Sequence, residues 1–216
     1  MCGVFGFATK EGERFDPEHL RKIAVNTMTR GPHAWGMAWV DESDRLHSFK
    51  QTGKITDSLG LLTMAADAKM LVGHCRFATH GDPANNLNNH PHPADGGWIV
   101  HNGQISHHKK IAERYNLFPT TACDSEVIGL MIERSDGTLF ERCQQAVDVC
   151  KGNRPFAMLG LWRDTMVVAR ANEQPLHVSE TDGGYYVASL PFALPGTISR
   201  VRNNEIFTFE QMEVAA

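Results

Sequence analysis

Two hydrophobic periodicities divide this chain, and their order limits the folds open to it. Strand-like stretches come first, at Val4, Phe5 and Phe7, then Gly36 to Val40, Leu46 to Lys50, Met70 to Phe77 and Trp98 to His101. A block with helical spacing follows, Asp124 to Glu133 and Leu139 to Cys150, the latter placing Cys143 and Cys150 two turns apart on one face. Strands then return at Phe156 to Trp162, Met166 to Arg170, Leu176 to Val178, Tyr185 to Ser189 and Ile206 to Phe209. A parallel βαβ winding would need strands and helices to alternate; runs of this kind predict an α+β fold, two sheets stacked face to face with helices outside.

Local signals fill in the rest. Asp16-Pro17-Glu18 offers an N-cap and a first-turn proline for a helix that should stop at Gly31. Asp41 to Asp44 reads as a hairpin turn, residues 55–68 as a short helix, and Ser106 as the cap of a helix through Tyr115. The polar stretch from Asp82 to Gly97 predicts a long loop with no core element, and loops of that length are usually functional. The 216 residues suit one domain, since no Pro/Gly/Ser-rich linker divides them.

Composition excludes several classes. Net charge is −4 with both signs interspersed, so no basic groove for nucleic acid is expected. No apolar run reaches transmembrane length and the start lacks a secretory pattern, which points to a cytoplasmic protein away from membranes. Five cysteines without paired C-x-x-C spacing read as free thiols. His90 and His92 flank Pro91, and His107 and His108 are adjacent, but neighbouring histidines point in different directions and no H-E-x-x-H occurs; neither metal nor cofactor is expected.

Chemistry gathers at a few positions. Removal of Met1 would leave Cys2 with a free α-amino group beside its thiol, a nucleophile and base in one residue. Arg76 ends an apolar strand, either as an ion-pair partner or as a bidentate clamp for a carboxylate. His101-Asn102-Gly103 is either a hairpin turn or an oxyanion hole built from the Asn amide and the Gly N–H. Asp124 heads a helix, where it can cap the helix or receive a ligand ammonium. Together these make an inventory for attacking the side chain of a free α-amino acid.

Cys2-Gly3, Arg30-Gly31, Arg76-Phe77-Ala78-Thr79-His80-Gly81, Asn89-His90-Pro91-His92, His101-Asn102-Gly103 and Asp124-Ser125-Glu126-Val127 occur in one order, from Cys2 to about Ser189. In this the sequence resembles the class II glutamine amidotransferase domain, the N-terminal-nucleophile glutaminase of glucosamine-6-phosphate synthase and related enzymes. The resemblance implies a four-layer αββα sandwich that hydrolyses the glutamine side-chain amide through a Cys2 thioester. It implies that Asn102 and Gly103 form the oxyanion hole, that Arg76 binds the α-carboxylate and Asp124 the α-ammonium, and that Thr79 and His80 line the pocket. Arg30 and Gly31 would order the Cys2 loop. With little chain beyond the glutaminase match, the acceptor of ammonia is expected on a partner synthase subunit in trans. An amidohydrolase of γ-glutamyl amides or peptides, and a catalytically silent binding module that keeps Met1, are the alternatives. Pro32-His33-Ala34-Trp35 replaces the family's usual Asp or Ser before Gly36, and Phe77 replaces its usual Trp. The stretch Asp82 to Asn88 is slightly longer, and Ser189-Leu190-Pro191 lacks the usual acid. These changes bear on how the site is gated.

Overall fold

The structure, a computed structural model, describes residues 1–210. One sheet has seven strands: β1 (Gly3–Thr9), β2 (Ala34–Asp41), β3 (Leu46–Thr52), β4 (Ala68–Arg76), β9 (His177–Thr181), β10 (Gly184–Ala188) and β11 (Thr197–Arg200), in the spatial order β11-β9-β10-β1-β4-β2-β3. The other has five: β5 (His92–Ala94), β6 (Gly97–Gly103), β7 (Phe156–Leu161), β8 (Thr165–Ala171) and β12 (Glu205–Glu210), in the order β12-β8-β7-β6-β5. The strand pairs are antiparallel.

Four layers follow from which faces are apolar. β1 is buried along its whole length because successive side chains point to opposite faces and both faces are covered. Phe5 and Phe7 pack outward with Leu20 and Ile23 of helix α1 (Pro17–Met28), while Val4 and Ala8 pack inward with Val100, Leu159 and Val168 of the second sheet. Beyond that sheet, Val127, Ile128 and Met131 of α3 (Glu126–Arg134) and Cys143, Ala146 and Cys150 of α4 (Leu139–Cys150) close the outer core. Helix α2 (His108–Tyr115) joins them through Ile111. The result is an αββα sandwich. No helix among the described residues is long and apolar enough to cross a membrane.

Several local expectations are corrected. The stretch expected as a helix over residues 55–68 is a 3₁₀ segment, Ile55–Ala65, broken at Ser58. Ser106 does not cap α2, whose cap position is His107, without a side-chain bond. Asn102 and Gly103 are not a hairpin turn; they are the last residues of β6, opposite Ala157 and Phe156 of β7. Long-range pairing overrides the local turn preference. Asp124 does not cap α3, because Ser125 holds the cap position and the Asp124 carboxylate accepts from the Ile105 N–H at 2.6 Å. Edge strand β11, exposed and polar, has no apolar pattern and was not foreseen.

The stretch from Asp82 to Gly97 does contribute to the core, through β5 and through buried Asn88, Asn89, His90 and His92. Its asparagines make this possible by supplying hydrogen bonds that a ladder would otherwise give. Asn85 accepts from the Leu87 N–H, Asn88 accepts from the Ala122 N–H and donates to the Asp82 carbonyl, and Asn89 donates to the Pro83 carbonyl.

Candidate active site

Cys2 stands at the entrance to β1, the strand paired on both sides in the middle of the seven-stranded sheet. Two contacts fix it. Its carbonyl accepts from Arg30 Nε at 2.7 Å, and its Sγ lies against the Phe77 backbone, 3.3 Å from the N–H that donates to it and 3.4 Å from the carbonyl it can donate to. Burial pushes the thiol pKa above its ordinary value; the Phe77 backbone, the positive chain terminus and Arg76 pull against that, and Asp124 adds to it. The thiol is therefore protonated at neutral pH and needs a base to react. Met1 projects outward, 72% exposed.

Gly31 explains why Arg30 can reach Cys2. A Cβ at Gly31 would lie 2.4 Å from the Arg76 carbonyl carbon and the Cys75 carbonyl oxygen, so the link from α1 to β2 crosses the end of β4 in direct backbone contact. The His33 N–H, donating to the Arg76 carbonyl at 3.0 Å, continues that crossing.

Arg76 is buried, and its guanidinium donates to Asn89 Oδ1 at 2.7 Å, to the Gly81 carbonyl at 3.0 Å and to the His80 carbonyl. Among the described residues it has no carboxylate within ion-pair distance. A buried cation paired only to neutral acceptors is poised for an anion. Asp124 supplies the opposite sign: it is buried, and its Oδ1 is 4.0 Å from His80 Nδ1. Thr79 Oγ1 lies 3.4 Å from the same nitrogen.

Cys2, Arg76, Thr79, His80, Gly103 and Asp124 line one cavity of about 10 Å³, room for no more than a single water. Asn102 does not line it. Its amide donates to Ser189 Oγ at 3.1 Å, and the same hydroxyl oxygen accepts from the Val4 N–H at 2.9 Å. Ser189 thus ties Asn102 of one sheet to the backbone beside Cys2 in the other, a role that sequence reasoning missed because the partners are 87 and 185 positions away.

Four buried histidines, His74, His90, His92 and His101, cluster at this cavity, and His90 and His101 line it. The rings of His74 and His90 are 3.9 Å apart and those of His90 and His92 4.7 Å, so His90 and His92 meet where the sequence suggested that they diverge. Burial holds all four neutral, His101 down at about 4, His92 at about 3, and the other two well below the ordinary value. His90, His92 and Cys123 bring three ligand atoms within 4.8 Å of one another. Burial lowers the His92 pKa most, with Lys50 and Arg76 acting in the same direction and Glu126 against them.

The chain is similar to known proteins over most of its length. Residues 74–195, more than half of the chain, match the family described as "Glutamine amidotransferase domain". A glutamine-fructose-6-phosphate aminotransferase (isomerizing) from Geobacillus kaustophilus is 31% identical over 201 residues, covering 90% of this chain and 33% of that protein. Its counterpart from Bacillus subtilis is 32% identical over 202 residues with the same coverage, so the chain spans about a third of the length of these relatives. Among solved structures, the B. subtilis glutamine phosphoribosylpyrophosphate amidotransferase has a similar fold, with a TM-score of 0.82 at 23% identity over 97% of this chain and 47% of that one. A class-II glutamine aminotransferase domain protein from Silicibacter pomeroyi superposes with a TM-score of 0.64 at 13% identity, covering 97% of this chain and 95% of that one. The chain belongs to the glutamine amidotransferase domain family, and its fold is that of the solved amidotransferases.

Proposed function

We propose that residues 1–210 form one glutaminase unit, which hydrolyses L-glutamine to glutamate through a Cys2 thioester and passes the ammonia to an acceptor-binding synthase unit. The observation that carries this reading is the bipolar cavity: a buried guanidinium without a carboxylate partner among the described residues and a buried carboxylate line the same cavity as a thiol that feels the charge of both. That arrangement fits a zwitterionic α-amino acid. Arg76 takes the α-carboxylate, Asp124 the α-ammonium, and the side-chain amide is left facing Cys2 Sγ.

With Met1 removed, the Cys2 α-amino group takes the thiol proton as sulfur bonds to the amide carbon, and returns it to the departing nitrogen. The oxyanion formed meanwhile accepts from the Gly103 N–H and from the Asn102 amide hydrogen that Ser189 does not use. Ammonia leaves, a thioester remains, and water attacking the same carbon releases glutamate. Thr79 and His80 close the cavity over the substrate, while Arg30 and Gly31 hold the nucleophile in place.

Glutamate release by wild type and by Cys2→Ala, together with the intact mass of active protein, tests the mechanism. Activity lost in the variant and a mature chain starting at Cys2 are expected. Retained Met1 in fully active protein would rule out the α-amino base, and faster turnover of other γ-glutamyl amides than of glutamine would assign the domain to stand-alone amide hydrolysis.

A further inference from the structure

The cavity beside Cys2 is too small for an amino acid, so the loop from Phe77 to Gly81 that roofs it has to lift before substrate enters. Besides Cys2 Sγ at Phe77 and Asp124 at His80, two groups hold that loop down. Arg76 grips its far end through the His80 and Gly81 carbonyls. At the near end the group is His33, from the segment where this chain departs from the usual family pattern.

His33 is exposed, but its backbone is held on both sides, its N–H donating to the Arg76 carbonyl at 3.0 Å and its carbonyl accepting from the Gly53 N–H at 2.9 Å. From that fixed base, Nδ1 accepts from the Ala78 N–H at 3.1 Å and the ring packs on Phe77, centroids 4.8 Å apart and planes inclined by 33°. Phe77 is the residue whose N–H and carbonyl hold Cys2 Sγ. We infer that His33 is a positioning residue, a latch whose Nδ1 lone pair and ring keep the Phe77–Ala78 peptide closed over the nucleophile. The inference rests on the proposed function for the meaning of the loop. It also assigns a division of labour: once Arg76 turns toward a substrate carboxylate, its hold on the two carbonyls weakens and His33 keeps the near end in place.

The hydrogen bond and the ring contact can be separated by substitution. His33→Phe keeps a ring on Phe77 but has no acceptor, His33→Asn offers Oδ1 near the place of Nδ1 without the ring, and His33→Ala removes both. The readout is the rate at which iodoacetamide alkylates Cys2 in the substrate-free protein, followed by peptide mass. It reports loop opening whether or not glutamine is hydrolysed, so failure of the latch and failure of the proposed function give different results. Alkylation should be about five-fold faster in His33→Phe, the population change that one neutral hydrogen bond carries, faster still in His33→Ala, which loses the ring as well, and in His33→Asn about five-fold slower than in His33→Ala. Unchanged rates in the Ala and Phe variants, or an Asn variant as fast as Ala, would overturn the assignment.

Discussion

In the proposed mechanism Asn102 and Arg76 serve one nucleophile, yet their substitution should give opposite kinetic signatures. There the Asn102 amide is an oxyanion donor, and its bond to Ser189 Oγ fixes it without substrate, so little reorganisation is needed when the oxyanion forms. Asn102→Ala should therefore lower kcat by roughly 10²-fold or more with little change in KM. A loss confined to KM would leave Asn102 with only its structural tie to Ser189. Arg76, in the same proposal, recognises the ground state. Arg76→Lys replaces a planar fork by a point charge that cannot span Asn89 and two loop carbonyls together, and steady-state kinetics should show KM for glutamine raised roughly ten-fold with a smaller change in kcat. An unchanged KM would mean that the guanidinium serves the loop alone. Both residues were legible in the sequence as candidates. Ser189 was not, because a hydroxyl that bridges two sheets leaves no local pattern.

Among the elements, the link from α1 to β2 has little freedom. Gly31→Ala would drive a methyl into the backbone of Cys75 and Arg76, where no flexible side chain can give way. Overpacking of this kind costs about 1–3 kcal/mol, so urea unfolding should show a lower midpoint with an unchanged slope. An unshifted midpoint would mean that the crossing relaxes freely. The helices and strands that periodicity predicted are those whose own residues carry the instruction, such as α1, where the Asp16 side chain accepts from the Glu18 N–H. The elements it missed take their instruction from elsewhere. Asn102-Gly103 is a strong turn signal overruled by pairing with β7, and the polar stretch through Asn89 is drawn inward by side-chain bonds that link it to Lys50, Arg76 and Ala122. The site residues were legible because their types are chemically restricted, whereas their second partners were set by contacts far apart in the chain.

At the scale of the whole molecule, the sandwich encloses four neutral imidazoles, and folding keeps protons off them. Each has a folded pKa depressed below the ordinary 6.5, His101 to about 4 and His92 to about 3, with His74 and His90 shifted in the same direction. Below pH 6.5 the unfolded chain binds protons at these positions and the folded chain does not, so stability is lost as pH falls and regained as it rises. At pH 5.5 the loss is about 1.4 kcal/mol for each fully shifted histidine, roughly 3 kcal/mol for His92 and His101 alone. Shifted carboxylates cannot offset this, since those of Asp41, Glu126, Glu141, Asp148 and Glu180 all move downward and titrate below that window. Nor can the thiols, since burial moves Cys123 up to about 11 and Cys143 and Cys150 to about 12. Urea unfolding measured from pH 7.5 to 5.5 should therefore show a midpoint that falls steadily from about pH 6.5 downward, and His101→Asn should reduce the slope by close to one proton. A midpoint that stays flat across this range would mean that the four rings take up protons in the folded protein, and that the interior behind Cys2 is wetter than its burial indicates.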